Sequence, residues 1–270
     1  MASTPLRENV TTGAKPPSSA VPPDRAGAPY ELVRAPEVLL GAPLADPNAE
    51  SFQRLASLLV AESGGSSRVV VVTSALPGEG KSFVALNLAL ALGARNGERV
   101  LLVDADLRRA EPTAWLSPPP SRGLADVLQI RMHLDGAIVS LRESPLRIMP
   151  RGRAARDAAA LMDSEECRGL FVRLRERFDW IVVDTPPVTP FGDATALGRL
   201  SDGVLVVARA GVTPVELYSE TLALLEGTRV LGVVLNDLAP NIVDGRSHYH
   251  YYYSRYYQRK KEQAGAERDG

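Results

Sequence analysis

Apolar residues in this chain gather into short unbroken runs rather than alternating with polar ones. RVVVVTS (68–74), ERVLLVD (98–104), DWIVVD (179–184), DGVLVVA (202–208) and VLGVVLN (230–236) are rich in valine, isoleucine and leucine. Such runs read as strands buried on both faces, as in a parallel sheet. PLRIMP (145–150) reads as a shorter strand of the same kind. Between the runs the period changes. KSFVALNLALALG (81–93) predicts a long apolar helix closed by Gly93, and PVELYSETLALLEG (214–227) one ending at Gly227. A helical pattern covers 157–177, and another follows Asp46-Pro47, with Phe52, Leu55, Leu58 and Leu59 at helical spacing up to a Ser/Gly break at 63–67. Strands alternate with helices throughout. The expected fold is α/β: a doubly wound, mainly parallel sheet with helices on both faces.

The pattern stops at both ends. Residues 1–29 are rich in Pro, Ser, Ala and Gly and carry no apolar stretch of the kind a signal peptide needs. They are expected to be disordered. Residues 30–239 hold the folded domain, and 240–270 form a polar, basic tail expected to be mobile. Of the chain's eight tyrosines, six lie in HYHYYYSRYY: Tyr249, Tyr251, Tyr252, Tyr253, Tyr256 and Tyr257. No aliphatic residue interrupts them, so this is not a core strand.

Composition narrows the field a little. At 270 residues with 45% hydrophobic content, one sizeable domain plus tails is expected. A net charge of −1 gives no global attraction to nucleic acid or anionic lipid. No run of 18 apolar residues exists to span a membrane. The single cysteine, Cys167, forms no intramolecular disulfide and fits a reducing cytoplasm. Its expected place is inside a helix. His248 and His250 are too few for a zinc site.

The chemistry starts at ALPGEGKS (75–82), between a strand and a helix. Backbone N–H groups of Gly78, Glu79 and Gly80 can point at phosphate oxygens, and the helix N-terminus adds partial positive charge. Lys81 reaches the β- and γ-phosphates, and Ser82 offers its hydroxyl to Mg²⁺. Phe83 completes the expected nucleotide-contacting set. Ala75 stands where a P-loop usually starts with glycine, which is tolerable at negative φ. Three acids end buried strands: Asp104 and Asp106 in VLLVDADLRR, and Asp184 in WIVVDTPP. Ligands of such sheets bind at the carboxyl ends of strands. Carboxylates there hold Mg²⁺ or take a proton from an attacking hydroxyl.

ALPGEGKS, LLVDADLR and IVVDTPP resemble the Walker A, Walker A′ and Walker B motifs of the bacterial tyrosine kinases, a deviant P-loop family of capsule and exopolysaccharide assembly. GLADVL (123–128), PPVTPFGDATAL (186–197), DGVLVVARAGVT (202–213), GVVLND (232–237) and the tyrosine cluster extend the resemblance over roughly residues 30–257. It implies an ATP- and Mg²⁺-dependent autokinase. Lys81, Asp104 and Asp106 would form the catalytic set, with Asp106 accepting the tyrosine proton. Ser82, Asp104 and Asp184 would serve the metal, and Asn236 would read the adenine. Arg108 and Arg109 match a basic pair of unassigned role. The implied partners are a transmembrane polysaccharide co-polymerase or adaptor as activator, further copies of the chain, and a protein-tyrosine phosphatase. The implied location is cytoplasmic, peripheral to the inner membrane through the adaptor. The family's E-x-x-R-x-x-R helix is altered here: ESFQRLA keeps Glu50 but has Gln53 and Ala56, with Arg54 out of register.

The tail then reads as the substrate. Thirteen residues separate Asn236 from Tyr249, or at most ~43 Å at ~3.3 Å per residue, enough to reach a neighbouring subunit. Arg246, Arg255, Arg259, Lys260 and Lys261 make the tail basic. It is expected to dock on an acidic rim of the active site and to leave once phosphorylated, since each phosphotyrosine adds about −1.5 to −2 charge. Arg151, Arg153 and Arg156 form a second basic stretch, read either as a solvated face or as a patch near phosphorylated groups. Two other functions remain open. One is a switch ATPase of the cell-division-site or partition type, which usually has a lysine where Leu76 stands. The other is a nucleotide-dependent regulator of polysaccharide export without kinase activity.

Overall fold

The computed structural model describes residues 29–33, 47–63, 68–95, 97–109, 111–142, 144–153, 155 and 157–238. The N-terminal segment before residue 29, Arg156 and the tyrosine tail lie outside the described residues.

The elements are, in order, β1 (Glu31–Leu32), α1 (Pro47–Ser63), β2 (Arg68–Ser74), α2 (Lys81–Gly93), β3 (Val100–Asp104), α3 (Glu111–Ala114), β4 (Leu116–Ser117), α4 (Leu124–Ile130), β5 (Val139–Ser140), β6 (Arg147–Met149), α5 (Ala158–Met162), α6 (Glu165–Arg177), β7 (Trp180–Asp184), α7 (Asp193–Leu200), β8 (Gly203–Arg209), α8 (Val215–Leu224) and β9 (Val230–Asn236). Seven strands form one sheet in the order β5-β6-β3-β7-β2-β8-β9. All its pairings are parallel except that of β5 with β6. β1 and β4 form a separate antiparallel pair. Every run read as a strand is a strand, and the doubly wound, mainly parallel architecture is observed.

Side chains alternate along each strand, so one run feeds two cores. Val70, Val72, Leu102, Val182, Leu205 and Val207 pack beneath α1 and α2. Val69, Val71, Leu101, Val103, Ile181, Val183, Val204 and Val206 pack on the opposite face with α4, α6 and α7. All of these are at most 3% exposed, and each fully buried side chain contributes roughly 1.5–3 kcal/mol before entropy is counted.

Two helical expectations change. The stretch 157–177 is two helices, because Ser164 breaks it: its Oγ accepts the Cys167 N–H at 3.1 Å and caps α6. In α1 the buried stripe is Ala49, Phe52, Ala56 and Leu59, while Leu58 is 60% exposed. Cys167 is buried in α6, and burial pushes its thiol up to about 12.

The topology also places the site. From β2 the chain crosses to β3, and β7 later enters between them. The loops leaving β2 and β3 therefore part on either side of β7, the point where such sheets bind ligands.

Candidate active site

The P-loop leaves β2 after Ser74, whose hydroxyl donates to the Leu76 carbonyl at 2.8 Å. Ala75 is 1% exposed and is not among the residues with positive φ. Gly78 and Gly80 have φ of 83° and 91°. Gly80 is left-handed where α2 begins, and a Cβ there would lie 2.0 Å from Asn236 Nδ2. Only glycine satisfies both demands. Asn236, at the end of β9, donates its Nδ2 to the Glu79 carbonyl at 3.0 Å. Its remaining N–H and its side-chain oxygen suit a purine edge.

Glu79 does more than lend its backbone. Its side chain, 2% exposed, accepts the Leu76 N–H through Oε2 at 2.7 Å and the Thr213 hydroxyl through Oε1. Thr213 Oγ1 in turn accepts the Arg209 N–H at 2.8 Å. The phosphate loop is thereby strapped to the turn between β8 and α8. The sequence motif gave no sign of this, because the partners lie 134 residues apart.

Lys81 points into the acids. Its Nζ lies 3.3 Å from Asp106 Oδ2, 3.9 Å from Asp184 Oδ1 and 3.1 Å from Ser82 Oγ. Ser82 Oγ donates to Asp184 Oδ2 at 2.6 Å. Asp104 and Asp184 are opposite one another in the β3–β7 register. Both are fully buried, and Asp106 is 1% exposed. Asp104 Oδ2 accepts the Thr113 hydroxyl at 2.5 Å and the Thr113 N–H at 3.1 Å. Among the described residues its Oδ1 is buried with no hydrogen-bond partner. Burial and the neighbouring Asp184 push the Asp104 carboxyl up to about 8, against the opposing hydrogen bonds from Thr113. Asp106 Oδ1 accepts the N–H groups of Arg108 and Arg109 at 3.2 and 2.8 Å.

Arginines border these acids on the β3 side. Arg108 makes a two-pronged contact with Asp193, its Nη2 3.2 Å from Oδ2, and lies over the Phe191 ring at 4.1 Å from the centroid. The Arg151 N–H donates to Thr113 Oγ1 at 3.0 Å, one hydroxyl away from Asp104, and its guanidinium meets the Leu107 carbonyl at 3.5 Å. Arg153 pairs with Asp126, which also holds the Gly123 N–H at the start of α4. The acids are buried and the described groups bordering them on this side are cationic. This differs from the acidic rim expected for tail docking, because the strand-end carboxylates turn inward to Lys81, Thr113 and backbone amides.

The structure thus brings Gly78, Glu79, Gly80, Lys81, Ser82, Asp104, Asp106, Asp184 and Asn236 to one end of the sheet. Phe83 turns its ring away, edge-on to Phe52 at 5.7 Å, leaving only its backbone at the helix N-terminus. The tail tyrosines lie outside the described residues. Sequence reasoning missed Thr113, Asp193, Phe191 and Thr213. The last three lie inside quoted motifs, PPVTPFGDATAL and DGVLVVARAGVT, and only tertiary contacts reveal their partners. Among the described residues no helix is long and apolar enough to cross a membrane.

Comparison with known proteins places the chain in a family. Residues 70–255 match the family model of the CobQ/CobB/MinD/ParA nucleotide-binding domain. The succinoglycan biosynthesis transport protein ExoP of Rhizobium meliloti (strain 1021) is 36% identical over 72% of this chain and 26% of its own length. The chain thus spans about a quarter of that relative. The tyrosine-protein kinase YwqD of Bacillus subtilis (strain 168) is 31% identical over 70% of this chain and 81% of its own. The crystal structure of the VpsO kinase domain superposes with a TM-score of 0.65 at 32% identity, covering 71% of this chain and 95% of that one. With its P-loop, paired Walker A′ acids and Walker B acid assembled at one sheet end, the chain belongs to the bacterial tyrosine-kinase family of CobQ/CobB/MinD/ParA-type nucleotide-binding domains.

Proposed function

We propose that the chain is an ATP-dependent tyrosine autokinase that phosphorylates its own tail cluster, Tyr249–Tyr257, between copies. The observation that carries this reading is Asp106. It is a buried carboxylate beside a P-loop, oriented by two backbone amides and with its other oxygen on Lys81. A carboxylate oriented in this way is ready to take a proton from a hydroxyl once phosphates draw Lys81 towards them. Gly78, Glu79, Gly80 and Lys81 hold the phosphates, and Asn236 meets the base. Among the described residues no cage of three or more metal-ligating side chains is found. That fits Mg²⁺, which keeps waters and phosphate oxygens as ligands. Ser82, Asp184 and the unpaired Asp104 Oδ1 suit it as hard oxygen donors. When bound, Mg²⁺ neutralises charge on the phosphates.

The biological setting that fits is control of exopolysaccharide or capsule polymerisation and export. A transmembrane adaptor would activate the kinase at the inner membrane and a phosphatase would reset it. ExoP, a succinoglycan biosynthesis transport protein by name, supports that setting. The test is a balance sheet of ATP. Phosphatase-treated protein is given ATP and Mg²⁺, with and without an adaptor's cytoplasmic segment, and ADP, free phosphate and protein-bound phosphate are counted. The account expects ADP matched by phosphotyrosine. ADP matched by free phosphate alone would favour the switch-ATPase reading.

A further inference from the structure

The contacts of Asp104 are lopsided. Thr113, nine residues on, gives Asp104 Oδ2 both its hydroxyl and its N–H, at 2.5 and 3.1 Å. Oδ1 has no hydrogen-bond partner among the described residues, and the side chain is fully buried. Two donors on one oxygen fix the rotation of a carboxylate and leave the lone pairs of the other oxygen open. The Thr113 hydroxyl is itself held in direction. Its Oγ1 accepts the Arg151 N–H at 3.0 Å. A hydroxyl has one proton, and with an N–H already aimed at its oxygen that proton is turned to the other neighbour, Asp104. The backbone that supplies this N–H is tied down in turn. The carbonyls of Pro150 and Arg151 accept the Leu124 and Ala125 N–H groups, at 2.8 and 2.9 Å, at the start of α4. Asp126 Oδ2 accepts the N–H groups of Gly123 and Arg153 at 3.0 and 3.2 Å. A Cβ on Gly123 would lie 1.9 Å from the Pro150 carbonyl oxygen, so the two segments are in close contact. The contacts thus run from α4 through the backbone of 150–153 to Thr113, and from Thr113 to Asp104. No long, flexible side chain takes part.

We propose that Thr113 is a positioning residue for the metal: it pins Asp104 Oδ2 so that Oδ1 is the oxygen offered to Mg²⁺ or to a water that Mg²⁺ carries. This rests on the assignment of Asp104 to the metal in the kinase reading above and deepens it. Thr113 acts through Asp104, since its hydroxyl is occupied at both ends by Asp104 and the Arg151 N–H. Ser82 shows the other arrangement. Its hydroxyl also donates to a strand-end acid, Asp184, at 2.6 Å, but from the first turn of α2 beside Lys81, where the P-loop meets the phosphates. Partners that orient a ligating side chain typically set metal affinity by about 10–100-fold. Thr113 is the described side chain that does this for Asp104, and its place in α3, outside the three Walker-type motifs, hides it from motif reading.

The test measures metal binding rather than turnover. The full chain, phosphatase-treated and stripped of divalent metal, is titrated with a fluorescent ADP analogue, and Mg²⁺ is then titrated into the complex by calorimetry. Thr113→Val removes the hydroxyl at nearly constant volume. It should weaken Mg²⁺ binding roughly tenfold, while affinity for the metal-free analogue stays within about threefold of wild type. Thr113→Ser keeps the hydroxyl and should hold Mg²⁺ affinity within about threefold of wild type. In an Asp104→Asn background the Val substitution should lose its effect, changing Mg²⁺ affinity less than about twofold, because the residue it acts through is already altered. Binding of the metal-free analogue certifies that each variant is folded. Should the Val variant fail that check, Thr113→Ala takes its place with the same expectations. Wild-type Mg²⁺ affinity without the hydroxyl, or an equal loss in the Asp104→Asn background, overturns the proposal. The kinase reading fails separately: if wild type given ATP and Mg²⁺ makes no phosphotyrosine, that reading falls, while a tenfold Mg²⁺ loss that vanishes with Asp104→Asn still supports the role of Thr113.

Discussion

The two sides of the acid cluster are built differently. On the nucleotide side the braces are short, part-buried and uncharged at their outer ends: Glu79 on the Thr213 hydroxyl, Asn236 on the Glu79 carbonyl, Gly80 close against Asn236. On the acceptor side the braces are ionic and partly wet. Arg108 reaches Asp193 with its side chain 34% exposed, Arg109 is exposed and Arg151 is half-buried. The first arrangement fixes a shape that every ATP shares. The second leaves charge available for a substrate that changes its own charge as the proposed reaction proceeds. A rigid, desolvated cradle and a polar, adaptable lip suit these two tasks.

The largest effect should come from breaking the rigid side. Gly80→Ala puts a Cβ 2.0 Å from Asn236 Nδ2 at a φ of 91°. Nucleotide affinity should fall at least a hundredfold, about 3 kcal/mol, read by the loss of the thermal shift that nucleotide gives the wild type. Next is Asp104, between the two sides. Its carboxyl is raised in the folded protein to about 8, from 3.8. The folded state therefore binds more protons than the unfolded one across that window. Stability of the nucleotide-free protein should fall as pH rises from about 4 to about 8. Asp104→Asn keeps an acceptor for Thr113 and removes the buried charge. It should stabilise the nucleotide-free protein at pH 8 by up to roughly 5 kcal/mol and flatten the pH dependence of urea unfolding.

Smaller effects sharpen the contrast. Arg108→Ala strands Asp193, whose side chain is fully buried. Unfolding free energy should drop by about 2–3 kcal/mol, while affinity for ATP stays within about threefold. A drop in ATP affinity equal to that of Gly80→Ala would erase the distinction between the sides. Thr213→Val removes one hydrogen bond to a buried carboxylate and should cost about 1–2 kcal/mol of nucleotide affinity. Thr213→Ser should restore most of it in the same calorimetric titration.

How much of this was legible beforehand follows from the range of the forces. Parallel strands and the P-loop announce themselves locally: RVVVVTS and ALPGEGKS carry their own pattern, and the acids follow directly from their strands. Side-chain partnerships across the sheet do not. Glu79 reads as a backbone donor until Thr213, from another loop, meets its carboxylate. Leu58 reads as core until Ala56 is found to take the buried position. The break between α5 and α6 was readable in principle, since Ser164 precedes Glu165 and Glu166 as a helix start. The apolar continuity on either side masked it. The acidic rim misled because counting carboxylates says nothing about which way they turn.

The account turns on Asp106 as proton acceptor, and intact-mass spectrometry tests that most directly. Full-length wild type and Asp106→Asn would be dephosphorylated, incubated with ATP and Mg²⁺ together with an adaptor's cytoplasmic segment, and weighed. The account predicts a ladder of added phosphates on the wild type, mapping to Tyr249–Tyr257, and none on the variant, with both proteins binding ATP equally well. An identical ladder on the variant, or phosphate confined to other residues, would contradict it.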